Sequence, residues 1–246
     1  MAGGARSTPA LVILALTHGA PSGPNRAAVI ALVDAIATAR PDVDVSISFV
    51  DAWQSDLPQA LPPALATSSS VVVPLVLSAG FHVRAELADS LGQAVLADAL
   101  GPDGRLVEVL AERVRSLGIL PRDSVLLAAA GSTDQRAVAE CFETARMLGA
   151  ALGRPVTVGF IAAASPRLHD AIEMLRAVHH GSRVVVATYL LAPGHFNDAI
   201  TTAGADLVSP PLVVPDGAVA EPLVDLVLER YDVAWSRRQP TPSPAP

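Results

Sequence analysis

Residues 71–80, VVVPLVLSAG, return as residues 184–194, VVVATYLLAPG, with Gly80 falling on Gly194 at a spacing of 114. Each copy is an unbroken apolar run of strand length that ends in small residues and glycine. That is the pattern of a strand covered on both faces, as in a parallel sheet. Other matches follow in the same order. Phe49 in VSISFVD falls on Phe160 in VTVGFIA, and DLPQAL (56–61) falls on RLHDAI (167–172) at a spacing of 111. Pro102-Asp103-Gly104 falls on Pro215-Asp216-Gly217, with Glu108 on Glu221, at a spacing of 113. Ordered matches at nearly constant spacing mark an internal duplication.

Each copy reads as short apolar strands alternating with helices. Strands are expected at 11–17, 43–50, 70–77 and 94–99, and again at 125–130, 155–162, 183–190 and 206–209. In the first copy helices are expected at 25–39, 55–67, 84–92 and 103–117, and the last helix of the chain should end near Trp235. Alternating β and α with right-handed crossovers gives an α/β fold of two similar doubly wound parallel-sheet domains, flavodoxin-like with strand order 2-1-3-4. The expected division is 1–120 and 121–236, joined near 118–123, with 237–246 as a disordered tail rich in Pro and Ser.

Composition narrows the function. The net charge of −7 and 17 basic residues, all Arg and forming no run, argue against nucleic acid. Mean hydropathy is positive, but no apolar stretch reaches the ~20 residues needed to cross a bilayer. The N-terminal residues do not have the form of a secretory signal, so a cytoplasmic protein away from the membrane is expected. A single cysteine, Cys141, excludes an internal disulfide framework or an all-cysteine metal site.

In a doubly wound sheet, ligands bind beyond the carboxyl ends of the strands. Two histidines stand there. His18 follows the first strand, His82 follows the third, and Asp51 ends the second. With strands one and three adjacent, two imidazoles and a carboxylate would share one mouth, a donor set suited to a borderline divalent cation such as iron, cobalt, nickel or zinc. In the second copy the same positions read Ala130, Ala162 and Phe196, so one site is expected, in the first half, with the second half as its other wall.

Thr17-His18-Gly19, Phe49-Val50-Asp51 and above all residues 71–87, VVVPLVLSAGFHVRAEL, resemble the class II tetrapyrrole chelatases of the sirohydrochlorin chelatase type (CbiX/SirB). The resemblance spans 10–235, and LLAAAGSTD and YLLAPGHFND are similar to the second half of that family's long, two-domain form. It implies a lyase that inserts Fe²⁺ or Co²⁺, with Ni²⁺ also open, into sirohydrochlorin, on the way to siroheme or cobalamin, without an organic cofactor. The family commonly continues its first His-Gly with Ser-Arg-Asp. This chain has Ala20-Pro21-Ser22 instead, which removes a hydroxyl and an arginine from that loop.

Insertion removes two pyrrole N–H protons and moves the metal from water to macrocycle nitrogens, so groups titrating near neutrality are needed. Free imidazole does so, at ~6.5. His18 and His82 are therefore assigned as metal ligands or proton acceptors, with Asp51 as a third ligand, a partner to a histidine N–H or a helix cap. Gly80, Phe81, Arg84 and backbone N–H groups near Arg26 and Val83 are expected to meet the substrate and its carboxylates. His195 could reach the mouth from the second half, whereas His169, His179 and His180 read as surface residues. Two fused halves supplying both walls favour a monomer. A non-catalytic tetrapyrrole or metal carrier, and a histidine-phosphatase-like enzyme with Thr17 in the place of its arginine, are the alternative readings.

Overall fold

The computed structural model describes residues 10–17, 22–51, 70–78, 91 and 93–238. It contains two four-stranded parallel sheets. In the first, β1 (Ala10–Thr17) lies between β2 (Asp44–Asp51) and β3 (Ser70–Pro74), with β4 (Val95–Leu96) beyond β3. The second repeats this order with β5 (Ser124–Ala129), β6 (Val156–Phe160), β7 (Val184–Tyr189) and β8 (Leu207–Val208), arranged β6-β5-β7-β8. This is the expected 2-1-3-4 order, twice.

The described helices are α1 (Gly23–Ala39), α2 (Gly104–Ser116), α3 (Gln135–Leu152), α4 (Leu168–Val178), α5 (His195–Thr201) and α6 (Glu221–Arg238). Helix α1 forms because Ala28, Val29, Leu32, Val33 and Ile36 recur on one face and all are buried. Ser22 caps its start by accepting the Asn25 N–H at 3.2 Å, a contact worth about 1 kcal/mol. The helices expected at 55–67 and 84–92 lie outside the described residues, except that Leu91 is not helical.

Several boundaries differ from the sequence reading. β3 stops at Pro74, which has no N–H to continue a ladder, and β4 and β8 pair over only two residues each. Residues 237 and 238, expected in a disordered tail, are instead helical: α6 continues through Arg238 and Arg237 Nη1 meets Asp98 Oδ2 at 3.0 Å, while 239–246 lie outside the described residues.

The terminal helices cross over. α6, which closes the second repeat in sequence, packs on β3, β4 and α1 of the first, whereas α2 packs on α3 and β7 of the second as well as on α6. Leu223, Leu226, Val227, Tyr231 and Ala234 of α6 are buried in the same apolar cluster as Leu32 and Ile36 of α1 and Val71 and Val73 of β3. Polar contacts follow the same exchange. Arg230 Nε donates to Ala99 O at 2.9 Å and Arg40 Nη1 meets both Asp232 oxygens at 3.0 and 3.1 Å. Between the repeats, Asp123 stays buried because it accepts from Leu120 N at 2.7 Å and pairs with Arg183 at 2.6 Å.

Candidate active site

The ladders place the strand ends. Thr17 and Asp51 are direct partners at the carboxyl edge of β1 and β2, so the backbone of Asp51 stands about 5 Å from the residue that precedes His18. On the other side, β1 pairs with β3 as far as Leu14 and Pro74. His18, Gly80, Phe81, His82 and Arg84 lie outside the described residues, as does the side chain of Asp51.

The repeat comparison is sharpened by register. Phe49 pairs with Ala15, and Phe160 with Ala129, so aligning the two phenylalanines carries His18 onto Ser132. Counting back from the helix caps, Ser22 and Asp134, carries it onto Ala130 instead. The loop from β1 to α1 is thus two residues longer than its counterpart, and the equivalence of His18 with Ala130 holds only from the helix side. Neither position has an imidazole. In the second repeat the mouth is also filled by backbone: Ala162 N donates to Ala130 O at 2.9 Å, and Gly131, at φ +92°, has no room for a Cβ against Ala162 O.

The second repeat reaches the first at two points beside the mouth. Tyr189, the last residue of β7, donates its phenol O–H to Leu77 O at 3.0 Å, and the next residue, Ser78, hydrogen-bonds the Cys141 thiol of α3. These hold the chain that leads out of β3. Asn25 Nδ2, in the first turn of α1, donates to Pro193 O at 2.8 Å. His195 is two residues further on, exposed at the start of α5, with its ring 6.1 Å from that of Phe196.

Burial pushes the Tyr189 phenol well above its ordinary range and the Cys141 thiol up to about 11, the Ser78 hydroxyl opposing the latter. Both therefore stay protonated, Tyr189 as a structural donor and Cys141 as a buried thiol that accepts from Ser78. Nothing in the sequence marked Tyr189 or Asn25, because each acts on a carbonyl more than 100 residues away.

Gly101 lies against this junction. A methyl on it would fall on Leu77 O and Tyr189 Oη. Gly101→Ala is expected to destabilise the protein by about 2 kcal/mol through overpacking against backbone. Urea denaturation checks this, and an unchanged midpoint would show that the junction yields.

The remaining histidines are exposed on the second repeat. His169 Nε2 lies 3.1 Å from Glu173 on the exposed face of α4, and His179 and His180 are exposed at that helix's C-terminal end. Among the described residues no group of three or more His, Cys, Asp or Glu side chains could hold a metal ion, which covers the whole second repeat. No described helix is long and apolar enough to cross a membrane.

Comparison with known proteins agrees with this architecture. Among solved structures, SirB from Bacillus subtilis with Fe³⁺ superposes with a TM-score of 0.70 at 18% identity, covering 91% of this chain and 95% of SirB. A cobalt complex of the sirohydrochlorin chelatase SirB from B. subtilis subspecies spizizenii gives 0.62 at 17%, covering 92% and 96%. CbiX, described as the terminal enzyme for biosynthesis of siroheme in denitrifying bacteria, gives 0.64 at 20%, covering 91% and 98%. A search of curated protein sequences returns no match. The CbiX family model matches twice, over residues 12–117 and 124–209, once on each repeat. The chain belongs to the CbiX family.

Proposed function

We propose that this protein is a sirohydrochlorin chelatase, which inserts Fe²⁺ or Co²⁺, with Ni²⁺ a further candidate, into sirohydrochlorin. The observation that carries the reading is the pairing of Thr17 with Asp51 at the strand ends that lead into the site, in a chain whose two repeats both match the CbiX family. In sequence His18 follows β1 and His82 follows β3, the strand paired with β1 on the side opposite β2.

The reaction is redox-neutral. Two pyrrole N–H bonds break, four nitrogen–metal bonds replace metal–water bonds, and two protons leave. His18 and His82 hold the incoming ion or accept those protons, and Asp51 offsets part of the metal's charge or orients an imidazole. The first half carries this chemistry. The second half, through Tyr189, Pro193 and the loop to His195, forms the facing wall, and both walls within one chain suit a monomeric, cytoplasmic enzyme. Gly80, Phe81, Arg84 and His195 complete the substrate contacts. If His195 is one of them, His195→Ala raises the KM for tetrapyrrole, and an unchanged KM removes it from the site.

Anaerobic incubation with sirohydrochlorin and Fe²⁺, Co²⁺ or Ni²⁺, followed by absorbance, tests the proposal. Accelerated metallation with at least one ion is expected. Rates equal to the protein-free control with all three would overturn it.

A further inference from the structure

Arg26 stands in the first turn of α1, its backbone N–H bonded to Ser22 O at 2.9 Å and its side chain exposed. Its guanidinium carbon lies 4.6 Å from the centroid of the Phe49 ring. Phe49 is paired with Ala15 and stands two residues before the end of β2 at Asp51. The cation is therefore held over the carboxyl end of β2 by an aromatic ring. Among the described residues no carboxylate or carbonyl pairs with it. Arg40, Arg105, Arg183 and Arg230 all bond carboxylates, which makes the contrast a local one.

This arrangement has a chemical consequence. A ring face orients a guanidinium without neutralising its charge, and it leaves the N–H donors along the edge of the group available. The neighbouring residue, Asn25, bonds Pro193 of the second repeat, so Arg26 stands where α1 meets both the end of β2 and the seam between repeats. Residues 18–22, HGAPS, include no arginine or lysine, and the whole chain carries −7. A substrate bearing many carboxylates needs a local cation here, and Arg26 is the first after His18.

We propose that Arg26 is a substrate-binding residue that takes one carboxylate of the tetrapyrrole, with Phe49 setting the plane of the guanidinium. The inference rests on the sirohydrochlorin reading above. The contact is remote from the pyrrole nitrogens, so it is made equally before and during metal insertion. Its loss should raise KM and leave kcat comparatively little altered.

Steady-state kinetics with sirohydrochlorin and Co²⁺ test this. For Arg26→Ala the KM for tetrapyrrole is expected to rise about 10- to 100-fold, the range for one charge-assisted contact, with no matching change in the KM for Co²⁺. Arg26→Lys should recover part of the loss, since it keeps the charge but not the two-pronged geometry. Phe49→Leu, with its melting temperature followed to confirm folding, should raise KM by a smaller factor. Equilibrium titration of metal-free sirohydrochlorin, followed by fluorescence, reads the same contact without turnover. Equal affinities for wild type and Arg26→Ala would overturn the assignment, as would a fall confined to kcat. A wild-type protein that binds sirohydrochlorin but never metallates it would sink the chelatase reading and leave the Arg26 contact standing. Wild type that does not bind it would sink both.

Discussion

Alanine at His82 or at His18 is expected to lower metal insertion by about 100-fold or more, because a positioned proton acceptor alone contributes about 10²–10⁴ in rate and loss of a ligand adds to that. The placement argues for a cost in chemistry more than in folding. In sequence His18 comes after the last residue of β1 and His82 eight residues after the last residue of β3, so neither is needed to complete a ladder, and the β1–β2 register ends at Thr17 and Asp51. Initial rates under anaerobic conditions, with melting temperature recorded alongside, separate the two effects. His169→Ala serves as the control. That side chain is exposed on α4 and meets only Glu173 among the described residues, so its rate should stay within about 2-fold of wild type, as surface changes usually do. Full activity in both His18→Ala and His82→Ala would remove the imidazoles from the chemistry, whatever the substrate.

The second large effect concerns stability. Asp103→Ala is expected to destabilise the protein by about 3 kcal/mol. The carboxylate caps α2 by accepting Arg105 N at 3.0 Å, meets the Arg105 guanidinium at 2.9 Å, and accepts Arg230 Nη2 at 3.0 Å. Arg105 reaches on to Glu229 of α6. One carboxylate thus joins the start of α2 to the helix that crosses over from the second repeat. Removal takes away a cap, worth about 1 kcal/mol. It also leaves Arg105 and Arg230 without this partner in a half-buried setting, a smaller version of the 3–5 kcal/mol cost of breaking a fully buried pair. For a chain of this length the expected fall in melting temperature is about 6–12 °C.

The same group gives a pH signature. Burial raises the Asp103 pKa, but hydrogen bonds from Arg105 and Arg230 outweigh it and hold the carboxyl at about 2, below the ordinary 3.8. A depressed folded-state pKa means the stabilisation is present above the unfolded value and is lost as pH falls through the folded one. The gap between wild type and Asp103→Ala should therefore be constant near neutrality and narrow between about pH 4 and pH 2, which urea midpoints across that range would record. A gap that persisted unchanged at pH 2 would mean that the carboxylate's charge is not what matters.

Much of the fold was legible because it was written twice. The recurrence of VVVPLVLSAG as VVVATYLLAPG, and of the phenylalanines at 49 and 160, established the repeat, and both ladders obey the order it implied. Apolar runs marked strand positions well but strand ends poorly. Pairing stops where a neighbour or an N–H is missing, as at Pro74 or in the two-residue β4, and hydrophobicity does not report that. The candidate site was legible as residue types at strand ends. Its support was not: Tyr189 on Leu77 O and Asn25 on Pro193 O are ordinary polar residues until the two repeats are brought together.

By itself the sequence determined that two parallel α/β repeats exist and that the second has no histidine where the first has His18, because hydrophobic periodicity and residue identity are local properties of the chain. Only the tertiary structure decided that α2 and α6 pack across the repeats, that the loop carrying His18 is longer by two residues than its counterpart, and that Arg26 rests on the Phe49 ring. Those depend on register, crossover and side-chain meetings over long sequence distances, which a pattern along the chain does not encode.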